Sequence, residues 1–339
     1  MKISEKTLDF HYNTPVVDLH ADTLLCIKIL EKLLINYNIF REHKQRIPLS
    51  PLLNHVDVPR MKKGGVNLQG FGIVTNYWSN KNKNAKETVQ LLHKLVRSSP
   101  DIIWARNEKE AREAWTNGQI GVFLGMEGAH PLEGRLENID WFYKKGVRYI
   151  GLSHFNTTEA AHSAMTGKKD MYKPLTPFGK DLIAKMNDLG MIVDLAHANY
   201  QGFMQAAQLS KQPVIVSHTG IYNCCKNERR NLFDDQIHAV AQTNGVIGIM
   251  FAPYFLRGKW QGSVSDIVDH MEYVKELVGI EYIALGSDFD GFITLPTEMK
   301  GVNDLPTITQ EMFNRNWTED DIKKVLGENF LRVYKEVCN

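Results

Sequence analysis

Eight apolar, β-branched runs of strand length recur along the chain, and the segments between them carry helical spacing. The runs are 16–20, 67–74, 120–127, 147–154, 191–197, 213–218, 245–251 and 282–288. Between the fifth run and its predecessor, Phe178, Leu182, Met186 and Leu189 recur every three or four residues, which predicts a helix that Gly190 stops. Val89, Leu92 and Val96 stripe 84–97 in the same way. Thr318 with Asp321 predicts a capped start to the last helix, on which Ile322, Val325 and Leu326 face inward. Strands apolar on both faces, separated by helices, require a parallel sheet covered by helices. Eight such units predict a closed (β/α)8 TIM barrel of the α/β class, with an open doubly wound sheet as the alternative. The 339 residues suit such a barrel, and no linker or composition break interrupts them, so 1–339 reads as a single domain.

The connections are lopsided. Helix-to-strand links are short (Gly146, Gly190, 210–212, Asn244, 279–281), whereas strand-to-helix links are long (156–177, 219–231, 252–262, 289–317). In a barrel the long ones gather on the C-terminal face, where sites are built. The stretch 42–60 reads as a second helical piece, an insertion or a long entry to the second strand. Lys plus Arg is 40 and Asp plus Glu 39, a net charge of +1 that excludes a polyelectrolyte as the main partner. The basic run 81–86 lacks interleaved aromatics and reads as a solvated loop, so no nucleic acid is expected. Cys26, Cys224, Cys225 and Cys338 form no Cys-x-x-Cys pair, which argues against a disulfide framework and a thiolate zinc site. Cys224 and Cys225 read as packed or loop thiols. The N-terminus has no apolar core of a signal peptide and the C-terminus no hydrophobic tail. The expectation is a cytoplasmic protein without a membrane anchor.

Polar residues close the runs. His20 ends the first, with Asp22 two residues on, and Glu127, His154, His197, His218 and Asp288 end the third, fourth, fifth, sixth and eighth. One such residue alone is more often a loop group or a helix cap. Six strands of one barrel bring theirs to one mouth. Imidazole and carboxylate donors suit a divalent ion, zinc above all, with a position open to water. His20 and Asp22 point the same way from an extended segment, His197 and His218 end adjacent strands, and Glu127 can bridge two ions. Two such ions polarise a carbonyl and hold a hydroxide at neutral pH, which is the chemistry of metal-assisted hydrolysis. The remaining histidines (His11, His43, His55, His93, His130, His162, His238, His270) lie away from strand ends and are assigned no chemistry.

Nine segments in order resemble the membrane dipeptidase, or renal dipeptidase, family of binuclear zinc peptidases in the amidohydrolase-like superfamily. They are VVDLHADTL, HVDVPRMKKGGVNLQGFGI, GMEGAH, GVRYIGLSHFNT, LGMIVDLAHAN, PVIVSHTG, ERRNL, ALGSDFDG and LGENFLRV. The resemblance implies a (β/α)8 barrel, dipeptide substrates and two Zn2+ per subunit. His20 and Asp22 then hold one ion, His197 and His218 the other, with Glu127 between them. It further implies attack by a metal-bridging hydroxide. Asp288 acts as general base and returns the proton to the leaving amine, His154 stabilises the oxyanion, and Arg230 binds the substrate carboxylate. Of Arg229 and Arg230, the second directly precedes Asn231, as in the family's Arg-Arg-Asn pattern. In the segment 288–291, strand parity favours Asp288 and leaves Asp290 to cap or turn. Tolerance of a D-residue at the C-terminal position and homodimerisation are also implied. Two other readings stand beside this one. Another amidohydrolase-type hydrolase, acting on a lactone, amide or phosphotriester, often bridges its metals with a carboxylated Lys at the fourth strand end, where this chain has His154. A non-catalytic barrel is disfavoured by a filled set of site positions.

Overall fold

Parallel strands form wherever the sequence places Val, Ile and Leu in unbroken runs, because such strands bury both faces. A computed structural model describes every residue except Met1, Asn36, 44–48, Ser79 and Glu228. Its strands are β1 (Val16–Ala21), β2 (Val66–Ile73), β3 (Ile102–Trp104), β4 (Ile120–Met126), β5 (Val147–Gly151), β6 (Ile192–Asp194), β7 (Ile215–Thr219), β8 (Val246–Ile249) and β9 (Ile283–Leu285). Neighbours run β2-β1-β9-β8-β7-β6-β5-β4, and β2 pairs in turn with β4, from Leu68 opposite Gly121 to Ile73 opposite Met126. The ring of eight is closed, as expected for a (β/α)8 barrel. The ninth strand, β3, was not anticipated. It pairs with the first residues of β4 (Ile102 opposite Ile120), on the edge that β5 takes over where Leu124 meets Val147. It therefore lies outside the ring.

The core has two parts. One cluster lies between the strands and the surrounding helices. A second fills the barrel, where Val17, Leu19, Leu68, Phe123, Tyr149, Ile215 and Val246 meet Phe330 and Tyr334 of the C-terminal helix Asn329–Val337. Phe123 and Phe330 stack at 5.6 Å, and the Tyr334 hydroxyl donates to the Ala105 carbonyl at 2.8 Å. Tyr149 is fully buried and needs a glycine beside it: a Cβ on Gly125 would sit 1.8 Å from its ring. That ring carries the core up to the polar mouth.

The helix Pro177–Leu189 ends at Gly190 in the left-handed region (φ 70°), as its spacing predicts. Five expectations need correction. The last helix does start at Thr318, whose hydroxyl accepts from Asp321 N–H, but it passes through a π-helical stretch, Lys324–Glu328, before resuming. The basic run 81–86 is the first turn of the helix Lys81–Ser98, with Lys86 over the Trp141 ring, not a loop. The long links 252–262 and 289–317 contain helices, Pro253–Arg257 and Pro306–Asn314, each opened by a proline that tolerates the first turn. Within 42–60, residues 44–48 lie outside the described residues, and the rest is not helical until Val58. Pro51 has no N–H to give and Asn54 is left-handed (φ 74°), so the helix Val58–Lys63 begins only where the Asp57 carboxylate caps it. Finally, the polar residues do not all end strands. His20 and His218 lie inside β1 and β7, whereas His154, His197 and Asp288 stand three residues beyond β5, β6 and β9.

Candidate metal centre

The strands β1 and β7 and the loops leaving the C-terminal strand ends bring the seven predicted groups, His20, Asp22, Glu127, His154, His197, His218 and Asp288, to one place, and every one of them is buried. His197 and Asp288 reach it by a sharp turn of the backbone, each in the left-handed region (φ 63° and 62°), a cost that residues bear at functional sites. Asp22 occupies the cap position of the helix Thr23–Lys32 yet makes no capping hydrogen bond. Its Oδ1 lies instead 3.3 Å from His20 Nε2. Gly72 of β2 leaves the room for this pair: a Cβ there would stand 2.4 Å from Asp22 Oδ1 and 3.0 Å from His20 Cε1.

Glu127 divides the donors. Its Oε1 is 2.9 Å from His197 Nε2 and 3.4 Å from both His218 Nε2 and His154 Nε2, while its Oε2 faces His20 Nε2 at 3.8 Å. His197 Nε2 and His218 Nε2 are 3.1 Å apart. Donors around a tetrahedral zinc at its usual bond lengths stand about 3.3 Å from one another, so these spacings fit an ion. His20 Nε2, Asp22 Oδ1 and Glu127 Oε2 are buried and have no hydrogen-bond partner. Three orphaned lone-pair donors at one point are costly unless a cation joins them. The two halves overlap: within 4.8 Å, His218 also groups with His20 and Glu127, and His154 groups with Glu127 and His197. His20 and His218 stack at 4.3 Å between the halves.

The charges agree. Burial opposes protonation of His20, yet Glu127, Asp22 and Asp288 outweigh it and lift its pKa to about 10. Without an ion, His20 therefore carries the positive charge that these carboxylates demand, and a bound cation takes the place of that proton and frees the Nε2 lone pair. Burial, then Asp22, raises the Asp288 carboxyl to about 7 against the pull of His20 and Arg230. Burial holds His154, His197 and His218 well below the usual range, helped by neighbouring cations, so they are neutral imidazoles. An acid surplus beside neutral imidazoles is the electrostatics of a cation site.

A buried outer layer fixes the imidazoles, and the sequence reading missed it. Ser217 Oγ lies 2.7 Å from Asp194 Oδ2 and 2.9 Å from His218 Nδ1. The carboxylate only accepts, so the serine's one proton goes to Asp194 and the serine accepts from His218 Nδ1–H. That leaves the lone pair on Nε2, toward the cluster. The Tyr149 hydroxyl does the same for His20: it donates to the Leu19 carbonyl at 3.2 Å and accepts from Nδ1 at 2.7 Å. Asp18 repeats the Asp194 arrangement across β1 and β9, taking Ser287 N–H at 2.8 Å and Ser287 Oγ at 2.7 Å just before Asp288. The available signal was an acid in the middle of two apolar strands, in the tripeptides 17–19 and 193–195.

Other placements follow the expectations in part. Arg230 is buried and its guanidinium donates to the His218 carbonyl, whereas Arg229 is exposed. Arg230 lines, with the cluster, a cavity of about 550 Å³ at the barrel mouth. Asp290 is structural: its carboxylate accepts from His55 N–H at 2.7 Å and from the Thr23 hydroxyl at 2.8 Å. His130, which the sequence left without a role, stacks on Tyr77 at 4.2 Å, and its Nε2 bonds the Thr75 hydroxyl at 2.8 Å. All four cysteines are free thiols. Among the described residues no helix is long and apolar enough to cross a membrane.

A sequence model described as membrane dipeptidase, peptidase family M19, matches residues 5–339. Solved structures share the architecture. A metallopeptidase described as a dipeptidase of family M19 superposes with a TM-score of 0.86 at 26% identity, covering 96% of this chain and 99% of its own. A metallopeptidase from Rhodobacter sphaeroides, solved with a phosphinate mimic of the dipeptide L-Ala-D-Ala, gives 0.85 at 24% identity over 96% of this chain and 99% of that one. An amidohydrolase from Pseudomonas aeruginosa gives 0.81 at 21% identity over 98% and 99%.

Proposed function

The chain belongs to the membrane dipeptidase family, M19, and is a metallo-dipeptidase; from that premise we propose that it cleaves the peptide bond of dipeptides using two zinc ions. The observation that carries this reading is the division of Glu127, with one carboxylate oxygen toward His197 and His218 and the other toward His20. In this reading His20 and Asp22 hold one ion, His197 and His218 the second, and Glu127 both. Bound there, the ions supply an activated water and polarise the scissile carbonyl.

The protein's own groups do the rest. Arg230 grips the substrate's C-terminal carboxylate in a charge-assisted, two-pronged contact. Its fixed position in the mouth measures out one residue to the cluster, so longer peptides cannot present an internal bond. His154, a neutral imidazole, donates a proton toward the carbonyl oxygen as negative charge grows there. Asp288 takes a proton from the attacking water and returns it to the leaving amine. Because Arg230 reads the carboxylate and not the side chain beside it, a D-residue at the second position is accepted as well. The relative solved with an L-Ala-D-Ala mimic supports that extension.

Zinc-loaded protein is expected to release alanine from L-Ala-L-Ala and from L-Ala-D-Ala, and to stop when a chelator strips the ions. Cleavage that survives complete metal removal, or no cleavage of any dipeptide, defeats the reading. Cleavage of the L,L form alone removes only the D-residue claim.

A further inference from the structure

The metal cluster and Arg230 occupy only part of the mouth cavity; much of the remaining wall is aromatic and aliphatic. It includes Leu25 after β1, Phe155 after β5, Tyr254 and Trp260 after β8, and Phe292 and Ile293 after β9. Several of these rings are open to solvent: Trp260 is 63% exposed, Phe155 52% and Phe292 44%. Rings left open side by side around a cavity mark a surface that something apolar covers. Tyr254 and Trp260 already face each other at 5.2 Å and form one continuous panel. A cavity of about 550 Å³ has far more room than two methyl side chains fill.

The site's polarity says which side chain lies there. Arg230, after β7, is the positive end. A dipeptide with its carboxylate at Arg230 and its scissile bond at the cluster extends its N-terminal residue away from β7, toward the loops after β9 and β1, which β8 separates from β7 in the ring. Its N-terminal side chain then meets Leu25, Phe292 and Ile293 on that side, and Trp260, whose carbonyl accepts from the Thr294 hydroxyl at 2.7 Å.

We propose that this apolar panel is a side-chain subsite that selects dipeptides whose N-terminal residue is aromatic or large and aliphatic. The inference rests on the dipeptidase reading above. An apolar side chain buried on such a panel gains tens-fold in specificity, since one methylene in an apolar pocket is worth roughly tenfold or more in kcat/KM.

The test is a matched panel of Phe-Ala, Leu-Ala, Ala-Phe and Ala-Ala with the zinc-loaded parent and with Trp260→Ala and Phe292→Ala. Phe-Ala and Leu-Ala are expected to exceed Ala-Ala by at least tenfold in kcat/KM, mainly through KM. Each variant is expected to lower the Phe-Ala to Ala-Ala ratio severalfold. The parent's own ratios decide the matter even if a variant folds poorly. Equal values for Phe-Ala and Ala-Ala, or a preference carried by Ala-Phe instead, overturn the subsite while leaving the dipeptidase reading intact. A panel in which nothing is cleaved overturns both.

Discussion

Ser217→Ala removes one oxygen from a fully buried relay and leaves the backbone around it in place. Asp194 keeps two partners, Ser217 N–H at 2.8 Å and Ala196 N–H at 3.0 Å, so the join between β6 and β7 survives. His218 is the group that suffers. Its Nδ1–H loses the acceptor at 2.9 Å and faces a methyl in a site closed to water. An orphaned buried donor costs about 1–3 kcal/mol. The proton escapes that penalty by moving to Nε2, which takes away the lone pair aimed at the cluster. Loss of such an outer partner weakens metal binding by roughly 10–100-fold, or about 1.4–2.7 kcal/mol, the same range reached from the hydrogen bond. The assay is zinc binding by competition with a chelator of known affinity, run beside thermal melting of the metal-free protein to confirm an intact fold. One of the two ions is expected to bind 10–100-fold more weakly. Parent-like affinity for both ions in a well-folded Ser217→Ala protein refutes the tautomer argument.

Three further outcomes are expected. Asp288→Asn keeps both ions by elemental analysis and loses about 10²–10⁴-fold in kcat, the usual contribution of a general base; a variant as active as the parent removes Asp288 from proton transfer. Arg230→Gln raises KM for dipeptides and lowers kcat/KM by roughly 10–100-fold, the worth of a charge-assisted hydrogen bond, measured by steady-state kinetics with parent and variant at equal zinc. His130 gives a pH dependence: burial lowers its pKa to about 4, so the unfolded chain takes up a proton below pH 6.5 that the folded chain refuses. Stability from this group is therefore complete above pH 6.5 and falls by about 3 kcal/mol toward pH 4, and urea melts of the parent and His130→Asn should differ in slope across that window.

The barrel was legible because the strands are apolar on both faces, and only a helix-covered parallel sheet hides such strands. The site was legible because His20, Glu127 and His218 interrupt those runs at their ends. Periodicity does not say where the sheet stops, so it placed His154, His197 and Asp288 on strands that end three residues earlier. β3 escaped notice because three residues, one exposed, carry no alternation to read. The helix Pro306–Asn314 hid within a long link because its helical signal is short. The relay from Asp194 to Ser217 spans 23 positions and exists only because β6 and β7 pair with Asp194 opposite Ile215. A register is a property of the assembled sheet, and one strand read alone does not contain it. Arg229 and Arg230 are equivalent as letters; burial separates them.

Anomalous diffraction at the zinc edge from crystals of zinc-loaded protein tests the central claim most directly. Two peaks about 3.5–4 Å apart are expected, as in other two-metal sites, one beside each oxygen of Glu127. The first should also touch His20 and Asp22, and the second His197 and His218. A single peak, or peaks away from these five side chains, contradicts the account.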